Sequence, residues 1–578
     1  MRGSISKFWV AVFAGLMVLM TMVPLTTAAA KVPSLMVDGR PVTPAPSLRW
    51  EKETVLISLK DLSTCLNAGF EWNEAEKTTW IQKYGRTIFF RLTTGEVKKN
   101  SQPITLPVPA QLIDGTFYVP LRFVVENLGA TVVWDNAANQ VNIITGERHT
   151  PPERISGQAF NALVAYTDQG KLWLLDGRET NSQPKQLFDS GLAELVGWSK
   201  DGTWLAYKYY ADAKYDSPAY LWVVQADGSG ARQVDTEPVY GDPEWSPKTN
   251  RLAYTIEQNS ADGYVSTGIV RYADITAEKT QVHTLVEEDV VMIPSFTWYP
   301  DGESLVVSFP RTQEQPPRLE RVGLTGQRSL LYTLKDETPI DPEGLYFWAF
   351  ISLKWSPDGR YLAYHLRMNS GSLTADSVET GVLDTETKQT YSLGGGLRYP
   401  QWLAFSPDSK KLAYIAGGGR DVILNKQLEI ADLSAGGQVI DYSQSGYVDT
   451  QPVWLPGETN KLLFCRGPEN EALFESNNLP GVIVPGQRIY KLSPDGPAAA
   501  ITAGPTTTAD YYPSPSPSGK EMIFLRLERF NQGSLYLQPL TSPEKAVEVL
   551  RGLRGSPGYY YNYYPEWISV YWLSEAGQ

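Results

Sequence analysis

The sequence predicts a mainly β protein in two folded parts. A small duplicated α+β domain precedes a β-propeller of eight blades, or seven if a weak repeat at Leu305 or Leu462 is misread. Three observations predict this. First, a phrase returns along most of the chain. Trp198-Ser199-Lys200-Asp201-Gly202 precedes Trp204-Leu205-Ala206-Tyr207, and Trp355-Ser356-Pro357-Asp358-Gly359 precedes Tyr361-Leu362-Ala363-Tyr364. Phe405-Ser406-Pro407-Asp408-Ser409 precedes Lys411-Leu412-Ala413-Tyr414. Looser copies open at Trp245, Trp298, Trp454 and Pro515, so the steps between openers are 47, 53, 57, 50, 49 and 61 residues by subtraction. Self-similarity at about this period with strand-like content is the mark of a propeller. Second, residues 54–73 return at 116–135 with a fixed offset of 62. Third, 32 tyrosines and 17 tryptophans stand against 3 histidines, a balance suited to pleated, half-buried strands.

The N-terminus reads as a secretory signal over residues 1–30. Arg2 and Lys7 form a basic start, Phe8 to Val23 is mostly apolar, and Ala28-Ala29-Ala30 offers a small-residue cleavage site. The apolar run is short for a membrane span, and nothing later is long enough to be one. The expected location is therefore secreted or extracytoplasmic, associated with the cell envelope. Cys65 and Cys465 fall in different predicted domains beside apolar residues and are expected as two buried, unpaired thiols. Net charge is 51 − 64 = −13, which argues against a nucleic-acid partner.

In the first domain, residues 35–145, each half reads as strand, short helix, strand. Leu59, Leu62 and Leu66 in one half, and Leu121, Val124, Val125 and Leu128 in the other, follow a helical period. Gly69 and Gly129 are placed to stop the helices. Val132-Val133-Trp134 and Gln140-Val141-Asn142-Ile143 predict a hairpin, with Asp135-Asn136 opening its turn. The phrases Asp114-Gly115-Thr116-Phe117-Tyr118-Val119-Pro120-Leu121-Arg122 and Leu128-Gly129-Ala130-Thr131-Val132-Val133-Trp134 resemble the copper amine oxidase N-terminal-like domain. That resemblance implies an exported protein of Gram-positive-type bacteria and a stalk-like module that carries no copper. The region has no histidine and a single cysteine, in keeping with this. It reads as an attachment module, or equally as a spacer. Residues 146–157, with Pro151-Pro152, read as a semi-stiff linker.

Residues 158–574 carry the propeller. Proline and glycine make Ser-Pro-Asp-Gly a tight turn between the first two strands of a blade. Leu-Ala-Tyr-like strands start near Leu163, Leu205, Leu252, Leu305, Leu362, Leu412, Leu462 and Met522, which gives eight. The first has no opener before it, and a spare opener stands at Pro565-Glu566-Trp567-Ile568-Ser569. The C-terminal strand is thus expected to pair into the first blade and close the ring. These motifs resemble the TolB-type repeat, WD40-like in its blades, which also builds the propellers of prolyl oligopeptidases and dipeptidyl peptidases.

The loops after second and fourth strands share one face, and long loops on a rigid scaffold are where binding sits. Aromatic residues cluster just before the openers: Tyr240, Tyr346 and Trp348, Tyr399, Tyr447, Tyr511 and Tyr512, Tyr563 and Tyr564. They are the candidate ligand-binding rim, suited to peptide or glycan, against the plainer reading that they fill gaps between blades. Acidic stretches such as Glu287-Glu288-Asp289 and Asp336-Glu337 would bias that rim toward cationic ligands. No catalytic residue, metal ligand or cofactor is assigned. There is no Gly-x-Ser-x-Gly elbow, no His-Glu-x-x-His and no phosphate loop, and His149, His283 and His365 are scattered. The expected protein is a non-catalytic binding or scaffold monomer of the envelope whose partner is a protein, peptide or glycan. The rivals are a propeller hydrolase or lyase with carboxylates at the channel mouth, and a purely structural envelope protein.

Overall fold

The computed structural model describes residues 32–573 apart from 38–39, 43–44, 53, 67, 84–85, 100–101, 136–137, 146–150, 189–190, 212–216, 261–262, 336–343, 471–482, 494–495, 530–531 and 556–566. The expected signal peptide, Tyr563 and Tyr564 lie outside these residues.

The duplication folds as a pair of matching halves. Strand Thr54–Ser58 runs into helix Leu59–Leu66 and strand Gly69–Asn73. Strand Thr116–Pro120 runs likewise into helix Leu121–Asn127 and strand Thr131–Asp135. The two leading strands pair antiparallel with Val119 opposite Ile57. Those two residues are repeat equivalents, since 119 − 57 = 62, so a local two-fold axis passes between them. The expected hairpin forms between Thr131–Asp135 and Gln140–Ile144, and its counterpart between Gly69–Asn73 and Thr78–Lys83. Both helices turn their leucine and valine stripes onto one core that also holds Ile57 and Val119. Gly129 follows its helix at φ +97° and donates its N–H to the Glu126 carbonyl, a glycine C-terminus. Gly69 is a correction: it opens a strand, and a β-carbon there would lie 3.1 Å from the Trp80 ring.

From Ala162 onward the chain makes one antiparallel four-stranded unit after another. In chain order their first strands are Leu192–Trp198, Val239–Trp245, Ser295–Trp298, Phe347–Trp355, Ala404–Phe405, Tyr447–Trp454 and Ala509–Pro515. These open the second to eighth units. The first unit is built from Ala162–Asp168, Lys171–Asp176, Lys185–Phe188 and the C-terminal strand Ile568–Trp572. The fifth and sixth units are joined by one bridge, Gly396 to Ala416.

The repeated phrase is a hydrogen-bonded turn. Ser199 Oγ donates to Asp201 Oδ1 (2.7 Å) and accepts from the Trp204 N–H (3.0 Å), with Gly202 at φ +70°. The same arrangement recurs at Ser356, Asp358 and Tyr361 (2.6 and 2.9 Å) and at Ser406, Asp408 and Lys411 (2.7 and 3.0 Å). Serine and aspartate here satisfy each other and the turn.

Strand alternation explains Leu-Ala-Tyr. Leu205 and Tyr207 pack with Ala165 and Leu172 of the first unit, while Ala206 faces Leu252 and Tyr254 of the third. A small residue between two large ones lets the next unit's large pair approach. The eighth and first units share a core in the same way, Ile523 and Leu525 meeting Val164 and Tyr166.

The C-terminal strand pairs antiparallel with Ala162–Asp168, with Val570 opposite Val164, which stands where Leu205 stands in the second unit. Elsewhere the residue opposite that position is the opener, as Trp198 is opposite Leu205. Val570 therefore holds the opener position, with the Trp198 indole donating to the carbonyl of Ser569 just before it, and the expected opener Trp567 is instead buried in the core between the eighth and first units. A second correction concerns the linker. Glu153–Arg154 pairs with the outer strand Val547–Arg554 as a fifth strand, covering an edge that would otherwise expose unpaired backbone groups. Cys65 and Cys465 are both free, Cys465 fully buried. Among the described residues, no helix is long and apolar enough to cross a membrane.

Candidate functional site

The first strands of successive units lie side by side, and their openers tie them together. Trp198 Nε1 donates to the Ser569 carbonyl (3.0 Å), Trp245 to Gly197 (2.9 Å), Trp298 to Glu244 (3.0 Å) and Trp454 to Ala404 (2.8 Å). The opener is spent on the frame. The residue just before it is not, and its chemistry changes from unit to unit: Gly197, Glu244, Thr297, Lys354, Ala404, Val453, Ser514 and, before Val570, Ser569.

Two stretches of this inner surface carry chemistry. On one side lies a cavity of about 260 Å³ lined by Gln401, Gln451, Val453, Tyr512, Ser514 and Ser569, among others. Gln451 and Tyr512 each stand three residues before an opener, at φ +53° and +55°, where the strand slips register against its neighbour. Non-glycine residues pay about 1–3 kcal/mol for such a conformation, and it concentrates at ligand sites. The proline that follows each bars the preceding residue from the ordinary helical region and so helps hold the bulge. The Gln451 side-chain oxygen accepts from the Tyr512 N–H (3.0 Å) and from the Cys465 thiol (3.3 Å), which fixes its amide.

On the other side, Glu244 lies between the third and fourth units. Thr297 Oγ1 donates to its carboxylate (3.0 Å). Burial pushes Glu244 up to about 7, against the hydrogen bonds from Thr297 and the Trp298 N–H and the field of Lys354. Glu194, in the second unit, pairs with Lys208 (2.7 Å) and accepts from the Tyr210 hydroxyl (2.8 Å).

The predicted rim residues divide. Tyr346 and Trp348 stand at the start of the fifth unit, with Arg311 over the Tyr346 ring (5.4 Å) and Arg367 over the Trp348 ring (4.7 Å). Tyr240 is partly exposed on the third unit and acts electrostatically on Arg367. Tyr399 packs on Trp402 (4.7 Å) and Tyr447 is half-buried at the head of its strand, so both serve partly as packing. Tyr511 is a correction: it is 2 % exposed, and its hydroxyl accepts from the Val484 N–H (3.2 Å) in the core between units. Its neighbour Tyr512 lines the cavity because the bulge turns it out of the strand's alternation. Of the expected acidic stretches, Asp336-Glu337 lies outside the described residues. Glu288 is ion-paired with Arg328, and the side chains gathered around Tyr346 and Trp348 are the cationic Arg311 and Arg367.

Sequence reasoning missed Glu244, Gln401, Gln451 and Arg367. Gln451-Pro452 and Tyr512-Pro513, at the same distance from two openers, were the available signal. His365 is buried, and its imidazole is held down to about 3, hence neutral. Among the described residues, no cluster of histidine, cysteine and carboxylate side chains is placed to hold a metal.

Residues 36–143 match the family model of the copper amine oxidase N-terminal domain. A curated relative from Brevibacillus choshinensis, described as a protease inhibitor, is 31 % identical over 158 residues, 27 % of this chain. The alignment spans 46 % of that relative's length. Among solved structures, one of two prolyl endopeptidases is similar over 63 % of this chain and 50 % of that one, at 10 % identity and a TM-score of 0.41. TolB from Acinetobacter baumannii is similar over 60 % of this chain and 78 % of its own, at 16 % identity and a TM-score of 0.28. The expectation that the protein is not an enzyme is thereby corrected. Peptidases are among the structures this chain resembles, and a missing sequence motif does not exclude chemistry grafted onto a shared frame. The likeness assigns no activity to this chain.

Proposed function

We propose that residues 158–574 form an eight-bladed propeller, closed by Ile568–Trp572, that binds a peptide segment across the inner ends of its blades. The observation that carries this is the pair Gln451 and Tyr512. Two strained, non-glycine residues at equivalent places present an amide and a phenol to one cavity of about 260 Å³. A curated relative named for protease inhibition supports a polypeptide over a glycan as the ligand. The basic and apolar N-terminal segment supports export to the envelope. The duplicated domain is read as the module that attaches the propeller to the wall or to a partner.

The test is a random-peptide array and a glycan array probed with the full chain and with Gln451→Ala and Tyr512→Gly. Peptide spots weakened about tenfold in both variants, with unchanged thermal melting or a higher melting point for Tyr512→Gly, support the reading. Glycan spots alone, or peptide spots indifferent to both variants, overturn it.

Glu244 favours a second reading, a hydrolase or lyase. A carboxyl held near neutrality beside a hydroxyl and within the field of a lysine is suited to move a proton. Turnover of the arrayed peptides with an inflection near pH 7 that vanishes in Glu244→Gln would establish it. No turnover in any pool would remove it.

A further inference from the structure

We propose that Arg367, stacked on Trp348 and flanked by Tyr240 and Arg398, forms an anion subsite that takes a carboxylate of the bound peptide. The inference rests on the peptide reading above and names the group that the site selects.

The seventh and eighth units show what this fold does with an arginine near the end of a second strand. Arg466 stands opposite Asp449 in register and holds it at 2.6 and 2.7 Å. Arg526 stands opposite Asp510 and holds it at 2.6 and 2.9 Å. Both guanidiniums are neutralised in place. In the fifth unit the counterpart of those two arginines is Leu366, opposite Phe350, and Arg367 stands one residue further along, on the other face of the strand and opposite Ala349, where no such aspartate meets it. Among the described residues no carboxylate pairs with Arg367, and its buried Nε–H has no hydrogen-bond partner.

The guanidinium is held all the same. It lies over the Trp348 ring at 4.7 Å, and the indole face fixes its plane. Arg398, exposed at the head of the sixth unit, is near enough to oppose the Arg367 charge, as burial also does. Two cations brought together on a chain of net charge −13, one of them half-buried and unpaired, raise each other's free energy until an anion arrives. A planar fork matches a carboxylate through two parallel hydrogen bonds. The partly exposed Tyr240 ring adds a flat apolar wall with a polar tip. A peptide offers that carboxylate from its C-terminus or from an aspartate or glutamate side chain.

The experiment uses fluorescence anisotropy on the full chain with the best peptide from the array in four forms: free acid or C-terminal amide, each with its acidic side chains kept or changed to amides. The expected result is that one carboxylate form binds at least about tenfold more tightly than its amide. Arg367→Ala should abolish that preference, Arg367→Lys should restore part of it, and Arg398→Ala should weaken it with melting unchanged. Which amide loses affinity tells the chain terminus from the side chain. Equal binding of all four forms, or a preference that survives Arg367→Ala, overturns the subsite and leaves the peptide reading standing. If no peptide binds, citrate is titrated in calorimetry against wild type and Arg367→Ala. Heat lost in the variant supports the anion subsite while the peptide reading fails, and equal heat in both, or none, overturns the subsite as well.

Discussion

Burial between the third and fourth units raises Glu244 to about 7, and that shift is a statement about stability. Below the ordinary carboxyl value near 4.5 both folded and unfolded chains are protonated there, and nothing is lost. As pH rises through the window from 4.5 to 7 the unfolded chain ionises first, so stability falls, and above 7 the whole cost is present. Glu244→Gln is expected to match wild type at pH 4 and to gain about 1–3 kcal/mol at pH 8, read from urea unfolding at both values. The thiols follow the same physics. Burial pushes Cys65 up to about 12 and Cys465 well above its ordinary value, so neither forms a thiolate at neutral pH. Iodoacetamide at pH 8 is expected to label neither in the native protein and both in guanidinium, by intact mass. Asp449 with Arg466 is a third case: both side chains are nearly inaccessible, at 1 % and 4 % exposure. Asp449→Ala leaves the guanidinium buried and alone, and is expected to cost about 3–5 kcal/mol in equilibrium unfolding. None of these environments was legible. Glu244 is one glutamate before a tryptophan, and only the next unit's Thr297 and Trp298 make its charge costly.

The elements were read more fully. The helical stripes at Leu59, Leu62, Leu66 and at Leu121, Val124, Val125 gave the helices they predict, because an apolar period needs only its own segment to be visible. The Ser-x-Asp-Gly turns were legible for the same reason: their hydrogen bonds close within five residues. The openers look alike in sequence, but their role is between elements. Trp245→Phe keeps the ring and loses the indole donor to Gly197, and is expected to cost about 0.5–1.5 kcal/mol by thermal melting, without change of secondary structure. Register was where element-level reading failed. Trp567 looks like an opener, yet Val570 takes that position, because pairing to Val164 is decided by which face of Ile568–Trp572 meets the neighbouring units. The segment near Pro151-Pro152 reads as linker, yet Glu153–Arg154 adds to the outer edge of the eighth unit, a partner almost four hundred residues away.

At the scale of the whole molecule, the two ends of the repeat region meet. Removing residues 567–578 would strip Ala162–Asp168 of its partner and empty Trp567 from the core shared by the eighth and first units. That truncation is expected to lower the melting temperature sharply and to give aggregates by size-exclusion chromatography, whereas removing only residues 574–578 leaves both unchanged. Charge also sorts at this scale. The chain is acidic overall, while Arg311 and Arg367 gather around Tyr346 and Trp348, far apart in sequence and adjacent in space. By itself the sequence determined the duplication, the repeat, its turns, its strand alternation and the two unpaired thiols, since each is carried by local pattern or by composition. The tertiary structure alone decided that Val119 meets Ile57, that Val570 replaces Trp567, that Tyr511 is core while Tyr512 lines a cavity, and that Glu244 and Arg367 are unlike other residues of their kind. The physical reason is that burial and charge environment are set by side chains from neighbouring units, and those neighbours are assigned by register rather than by proximity along the chain.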